Sequence, residues 1–126
     1  MRYLLDSTLL IDHANADPAA NALFQRLFEE GHELYTCDVV TCEALTRGDD
    51  EQRRLLTNLL DALDYVATSP EMARWAGASR RQRHLAGRRQ ALADALIGGV
   101  ASVLGATVVT RNRPDFERQG VPVLTY

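Results

Sequence analysis

The sequence predicts an α/β fold in which a short parallel sheet of about five strands lies between helices. Three observations carry that expectation. Short apolar runs of strand length alternate with longer segments of helical period from one end of the chain to the other. The joints between them hold cap and turn residues such as Asp17-Pro18, Ser69-Pro70 and Gly105. The chain has 126 residues, 46% of them hydrophobic, which suits one domain spanning 1–126 with a single core, and no repeat, linker or low-complexity segment interrupts it.

Arg2 to Leu5 reads as the first strand, with Asp6 at its carboxyl end and Ser7 or Thr8 opening a helix. Asp17 then caps a second helix with Pro18 in its first turn; Leu23, Phe24, Leu27 and Phe28 fall at helical spacing, and Gly31 ends it. Leu34 to Cys37 forms a second strand, followed by Asp38 as the expected cap of a helix that carries Glu43 and ends at Gly48. Residues 50–63 give another helix, and Tyr65 to Thr68 a third strand. Ser69, Pro70 and Glu71 start a helix that runs through Trp75 into Arg80-Arg-Gln-Arg-His84 and stops near Gly87, with Arg88 and Arg89 in the loop. Ala91 to Leu104 is an apolar helix holding one charge, Asp94. A strand at Thr107 to Val109 leads into a polar turn, Thr110 to Asp115, and Val121 to Leu124 closes the chain as a short last strand.

Charge is distributed unevenly. The net value is −3, yet residues 1–79 hold 14 acids against 6 arginines while residues 80–126 hold 3 acids against 8 arginines. There is no lysine. Cys37 and Cys42 match neither a zinc knuckle nor a redox pair and are expected to be reduced, half-buried small residues of a cytosolic protein. The first acid comes too early for a signal peptide, and no apolar run approaches the ~20 residues that span a bilayer, so a cytoplasmic location without membrane contact is expected.

Four acids stand in apolar company: Asp6 after a strand, Glu43 and Asp94 on apolar helix faces, and Asp115 at the end of the polar turn. Each alone has an ordinary explanation: a helix cap, a rim residue paired with arginine, a first-turn acid favoured by the helix dipole, and a turn residue. Together they share a topology that brings them to one end of the sheet. Two carboxylates about 4 Å apart repel by about 4 kcal/mol at an effective dielectric near 20, so such convergence calls for a divalent cation. An all-oxygen donor set favours Mg²⁺ or Mn²⁺. Ions of this kind polarise a phosphodiester and activate water, and the basic residues 80–89 and 111–118 offer a surface for a phosphate backbone.

At these residues the chain resembles the PIN-domain ribonucleases, and within them the VapC-type toxins of bacterial toxin–antitoxin pairs. The resemblance rests on an ordered set: Leu4-Leu-Asp-Ser-Thr-Leu-Leu-Ile-Asp12, the Glu43 helix, Ala93-Asp-Ala-Leu-Ile-Gly-Gly-Val-Ala101 and Thr110-Arg-Asn-Arg-Pro-Asp-Phe116. It implies an endoribonuclease in which Asp6, Glu43, Asp94 and Asp115 hold Mg²⁺ or Mn²⁺, with Asp6 and Asp94 as the direct ligands and Ser7, Thr110 and Asn112 in supporting polar positions. It also implies an RNA substrate, a homodimer, and a small antitoxin whose C-terminal segment covers the site. Arg80, Arg81, Arg83, Arg88, Arg89, Arg111 and Arg113 are the candidate RNA contacts. Two rival readings exist. A phosphoaspartyl enzyme would use Asp6 as nucleophile but needs a lysine, which the chain lacks. A non-catalytic RNA- or protein-binding module would use the acids only to fix loops.

Overall fold

The computed structural model describes residues 1–126. Twelve elements follow one another as β1 (Arg2–Leu5), α1 (Ser7–Ala14), α2 (Pro18–Glu29), β2 (Glu33–Cys37), α3 (Asp38–Leu45), α4 (Asp50–Asp61), β3 (Asp64–Val66), α5 (Pro70–Leu85), α6 (Leu92–Leu104), β4 (Thr107–Val109), α7 (Arg113–Glu117) and β5 (Val123–Leu124). The strands form one sheet in the order β3-β2-β1-β4-β5, and every pairing is parallel. The expected α/β architecture is therefore the observed one.

Adjacent residues of the inner strands explain why helices cover both faces. Leu4 and Leu5 point to opposite sides of β1, as do Val108 and Val109 of β4, yet all four are fully buried. These strands belong to a core cluster of 23 buried residues that also takes in Leu9 and Leu10 of α1, Leu27 of α2, Ile97 and Val100 of α6 and Phe116 of α7. Truncating any of the large ones to alanine removes packed volume at about 2–5 kcal/mol.

Local signals set most boundaries. Asp17 accepts from the Ala20 N–H at 2.9 Å ahead of Pro18, and Ser69 accepts from the Met72 N–H at 3.2 Å ahead of Pro70. Along α2, Leu23 and Leu27 are buried while Phe28 is exposed. Two expectations are corrected. Asp38 does not cap α3; Cys37 occupies that position, and the Asp38 carboxylate accepts from the Thr68 hydroxyl at 2.7 Å and the Thr68 N–H at 3.2 Å. It thereby ties the start of α3 to the loop after β3, and these bonds hold its carboxyl below the usual range against the opposing effect of burial. The cysteines also differ from expectation, because Cys37 is buried and Cys42 exposed, both as free thiols.

Strand order places the site. The chain builds β1, β2 and β3 outward in one direction, returns through α5 and α6, and adds β4 and β5 on the other side of β1. The reversal lies between β1 and β4, and in open parallel sheets the crevice beyond the carboxyl ends at such a point receives ligands. Asp6 and Thr110 are the first residues past those two strands. No helix is long and apolar enough to cross a membrane.

Candidate active site

Asp6 is the most deeply set of the four acids, at 2% exposure. Its backbone N–H donates to the Val109 carbonyl at 3.0 Å, which joins the ends of β1 and β4. As the N-cap of α1 it accepts from the Ser7 N–H through Oδ1 at 2.8 Å. Its Oδ2 accepts from the Thr110 hydroxyl at 2.8 Å and from Thr8 at 3.3 Å. Burial raises its carboxyl above the ordinary value, these bonds act in the opposite sense, and the Asp115 charge adds to the rise.

The two threonines also shape the turn after β4. Thr110 Oγ1 accepts from the Asn112 N–H at 2.9 Å and Thr8 Oγ1 from the Arg111 N–H at 3.1 Å. Asn112 thus contributes through its backbone, while its side chain lies exposed. The turn is shorter than the sequence suggests: Arg113–Glu117 is one turn of helix, α7, anchored by the fully buried Phe116, and Asp115 sits in its first turn.

Glu43 projects from α3 toward Ser7, whose hydroxyl donates to Oε1 at 3.3 Å. Burial raises its carboxyl, Asp6 raises it further, and Ser7 opposes the rise. Asp94 occupies the first turn of α6. Its carboxyl is raised to about 6, first by burial and then by Asp6, Asp115 and Glu43, and no group nearby lowers it. Four acids from four segments thus share one electrostatic neighbourhood. Asp115 is the exposed member and stands 3.6 Å from the Arg118 guanidinium.

The donor chemistry fits a hard divalent cation: carboxylate oxygens repel one another, hydroxyl groups steady two of them, and Asp94 has no counter-charge. As placed, no three of these side chains form a coordination cluster. They lie within Coulombic range of one another and outside common ligand contact.

The predicted arginines divide into groups. Arg111 pairs with Asp12 at 3.2 Å and Arg113 with Glu117, so both have partners away from the acids. Asp12 of α1 also accepts from the Tyr126 hydroxyl at 2.6 Å and ties the last residue to the turn. Arg83 and Arg89 line a cavity of about 140 Å³ together with Asp94, Asp115 and Arg118. Arg80, Arg81, Arg88 and Arg89 line a larger one of about 820 Å³.

Three residues are not singled out by a reading of the sequence. Thr8 is easily taken for the opening of α1, although its place two residues after a strand-end aspartate was a usable signal. Arg118 lies three residues after Asp115, a spacing that matters only once α7 is known to be helical. A third, Gln119, donates to the backbone carbonyls of both Asp94 and Asp115 at 3.1 Å and clamps α6 to α7.

Comparison with known proteins adds to this geometry. The family model described as PIN domain matches residues 3–121. Ribonuclease VapC19 of Mycobacterium tuberculosis is 28% identical over 113 residues, covering 90% of each chain. Among solved structures, VapBC2 from Rickettsia felis bound to a DNA fragment from their promoter superposes with a TM-score of 0.85 at 20% identity, over 100% of this chain and 99% of that one. Mycobacterium tuberculosis VapC20, described as a Sarcin-Ricin loop cleaving toxin, superposes at 0.73 with 17% identity, over 94% and 95% of the two chains. At such identities the structural likeness speaks for the fold.

Proposed function

The chain belongs to the PIN domain family, and from that membership we propose that it is a divalent-metal-dependent endoribonuclease acting as the toxin of a toxin–antitoxin pair. The observation that carries the nuclease reading is the gathering of Asp6, Glu43, Asp94 and Asp115 from four segments beyond the carboxyl ends of β1 and β4, with hydroxyl donors on Asp6 and Glu43; the raised carboxyl of Asp94 agrees with it. A structural role for the acids would leave them paired; here only Asp115 of the four forms an ion pair.

Asp6 and Asp94 are the direct ligands in this reading, Glu43 and Asp115 complete the set, and the ion is Mg²⁺ or Mn²⁺. When bound, the ion supplies Lewis-acid polarisation of the phosphodiester and a water of lowered pKa. The chain's own contribution is to prepare the ligands. Ser7 N–H, Thr8 and Thr110 fix both oxygens of Asp6, and Ser7 Oγ orients Glu43. Gln119 sets the spacing between Asp94 and Asp115 through their backbones. Arg83, Arg89 and Arg118 border the same small cavity and offer guanidinium groups to the phosphate being cut.

The relatives' names support the biological role: VapC19 is called a ribonuclease, and VapC20 a Sarcin-Ricin loop cleaving toxin. A small cognate antitoxin, a homodimer and a cytoplasmic location belong to the same proposal. Purified protein incubated with structured and single-stranded RNA is expected to cut in Mg²⁺ or Mn²⁺, to stop in excess EDTA, and to lose cleavage on Asp94→Asn with the fold retained. Metal-independent cleavage refutes the metal-dependent mechanism, and no cleavage across broad RNA pools refutes the enzyme reading in favour of a binding module. Co-expression with the product of an adjacent small reading frame tests the antitoxin, and light scattering the dimer.

A further inference from the structure

The cavity of about 820 Å³ beside the acids is framed by the second half of α5 and the loop leading to α6, and its charged lining is Arg80, Arg81, His84, Arg88 and Arg89. Arg89, Gln90 and Ala91 also line the small cavity that holds Asp94 and Asp115, so the two spaces adjoin along this loop. None of these arginines takes part in an ion pair, whereas Arg2, Arg26, Arg111, Arg113 and Arg118 all do. Like charges gathered without counter-charge destabilise a fold, and an anion relieves them.

Its walls are held in place. Arg80 Nε donates to the Gln90 carbonyl at 3.2 Å and the Ser79 hydroxyl to Gln90 Oε1 at 3.0 Å, which pins the loop against α5. Only two of the nine lining residues are hydrophobic, and no Phe, Tyr or Trp is among them. A cleft built to read bases offers aromatic faces for stacking; one built for the backbone offers guanidinium forks.

We propose that this arginine cleft binds the phosphodiester backbone of single-stranded RNA on one side of the bond to be cut, without reading its bases. The inference rests on the nuclease reading for the identity of its ligand, because a chain entering the small cavity at Asp94 continues across Arg89 into the larger one. Arg89 marks the threshold between the two, and Arg81 and Arg88 grip phosphates farther along.

The test measures binding apart from cleavage. Fluorescence anisotropy with labelled single-stranded RNA, in EDTA over a range of salt, gives the slope of log affinity against log salt. Arg81→Gln with Arg88→Gln is expected to reduce that slope by about 1.4, at about 0.7 per phosphate contact, while Arg54→Gln on α4 leaves it unchanged. Should the double variant fail to fold by circular dichroism, Arg88→Gln alone, a loop substitution, is expected to lower the slope by about 0.7. An unchanged slope in a folded variant overturns the proposal. So does binding that depends on base sequence, or preference of the wild-type cleft for an acidic peptide over RNA. The two readings fail differently: RNA bound with an arginine-dependent slope but never cut sinks the nuclease and keeps the cleft, whereas metal-dependent cutting with an arginine-independent slope does the reverse.

Discussion

Asp94→Asn should make the metal-free protein more stable while removing its activity. The wild-type carboxyl is raised to about 6 from an unfolded value of 3.8, so the folded state holds its proton more tightly than the unfolded chain does. Between those values the native state binds more protons, and stability falls as pH rises through the window; above about 6 the full penalty is present. A shift of about two units corresponds to about 3 kcal/mol at 1.36 kcal/mol per unit, and solvent screening of a half-buried side chain reduces this to about 1–1.5 kcal/mol. Asparagine carries no charge to penalise. Urea denaturation in EDTA at about pH 7.5 should therefore show the variant ahead by about 1 kcal/mol, with the gap closing as the pH approaches about 4. Added Mg²⁺ should reverse the order, because only the wild type keeps the charged ligand. A variant less stable than wild type in EDTA near neutral pH, or a difference that ignores pH, would refute the account of Asp94 as an uncompensated charge among acids.

Three other outcomes follow from the same geometry. Thr110→Val removes the 2.8 Å hydroxyl donor to Asp6 with little change in volume; it should cost about 1.5–3 kcal/mol near neutral pH and weaken Mg²⁺ binding in calorimetry, and a variant that binds the ion normally would exclude Thr110 as a support. At limiting Mg²⁺, RNA cleavage should decline as pH drops through about 6, where Asp94 takes up its proton, and higher Mg²⁺ should move that limb to lower pH because ion and proton compete for one carboxylate; a limb indifferent to Mg²⁺ would point to another group. Ellman's reagent should titrate one thiol in the native protein, the exposed Cys42, since Cys37 is buried and its thiol is pushed up to about 11; two fast thiols would contradict the packing of β2.

The parts legible in the sequence are those decided within a few residues. Asp17-Pro18 and Ser69-Pro70 announce their helices because a cap and its acceptor are neighbours, and the apolar strands announce themselves by composition. The four acids could be picked out because each sits among apolar residues, an anomaly visible without coordinates. Partners brought together only by folding escaped. Asp38 looks like a cap until Thr68 arrives from 30 residues away. Arg111 and Arg113 look unpaired until Asp12 and Glu117 come alongside them. Helix α7 is too short for periodicity, and its reason to exist is the buried ring of Phe116.

The packing of α5 on α6 depends on what is missing. A Cβ at Gly99 would collide with the Met72 carbonyl oxygen, so there the α5 backbone approaches α6 more closely than a side chain would allow, and Gly98 makes room for the Gln119 side chain and the Trp75 ring. One of these helices carries Arg80 and Arg81, the other Asp94. With the Gly99 backbone set directly against the Met72 carbonyl, the pair works as a fixed gauge: in the proposed reading, the interval from gripped phosphate to severed bond is set by the contact of two backbones.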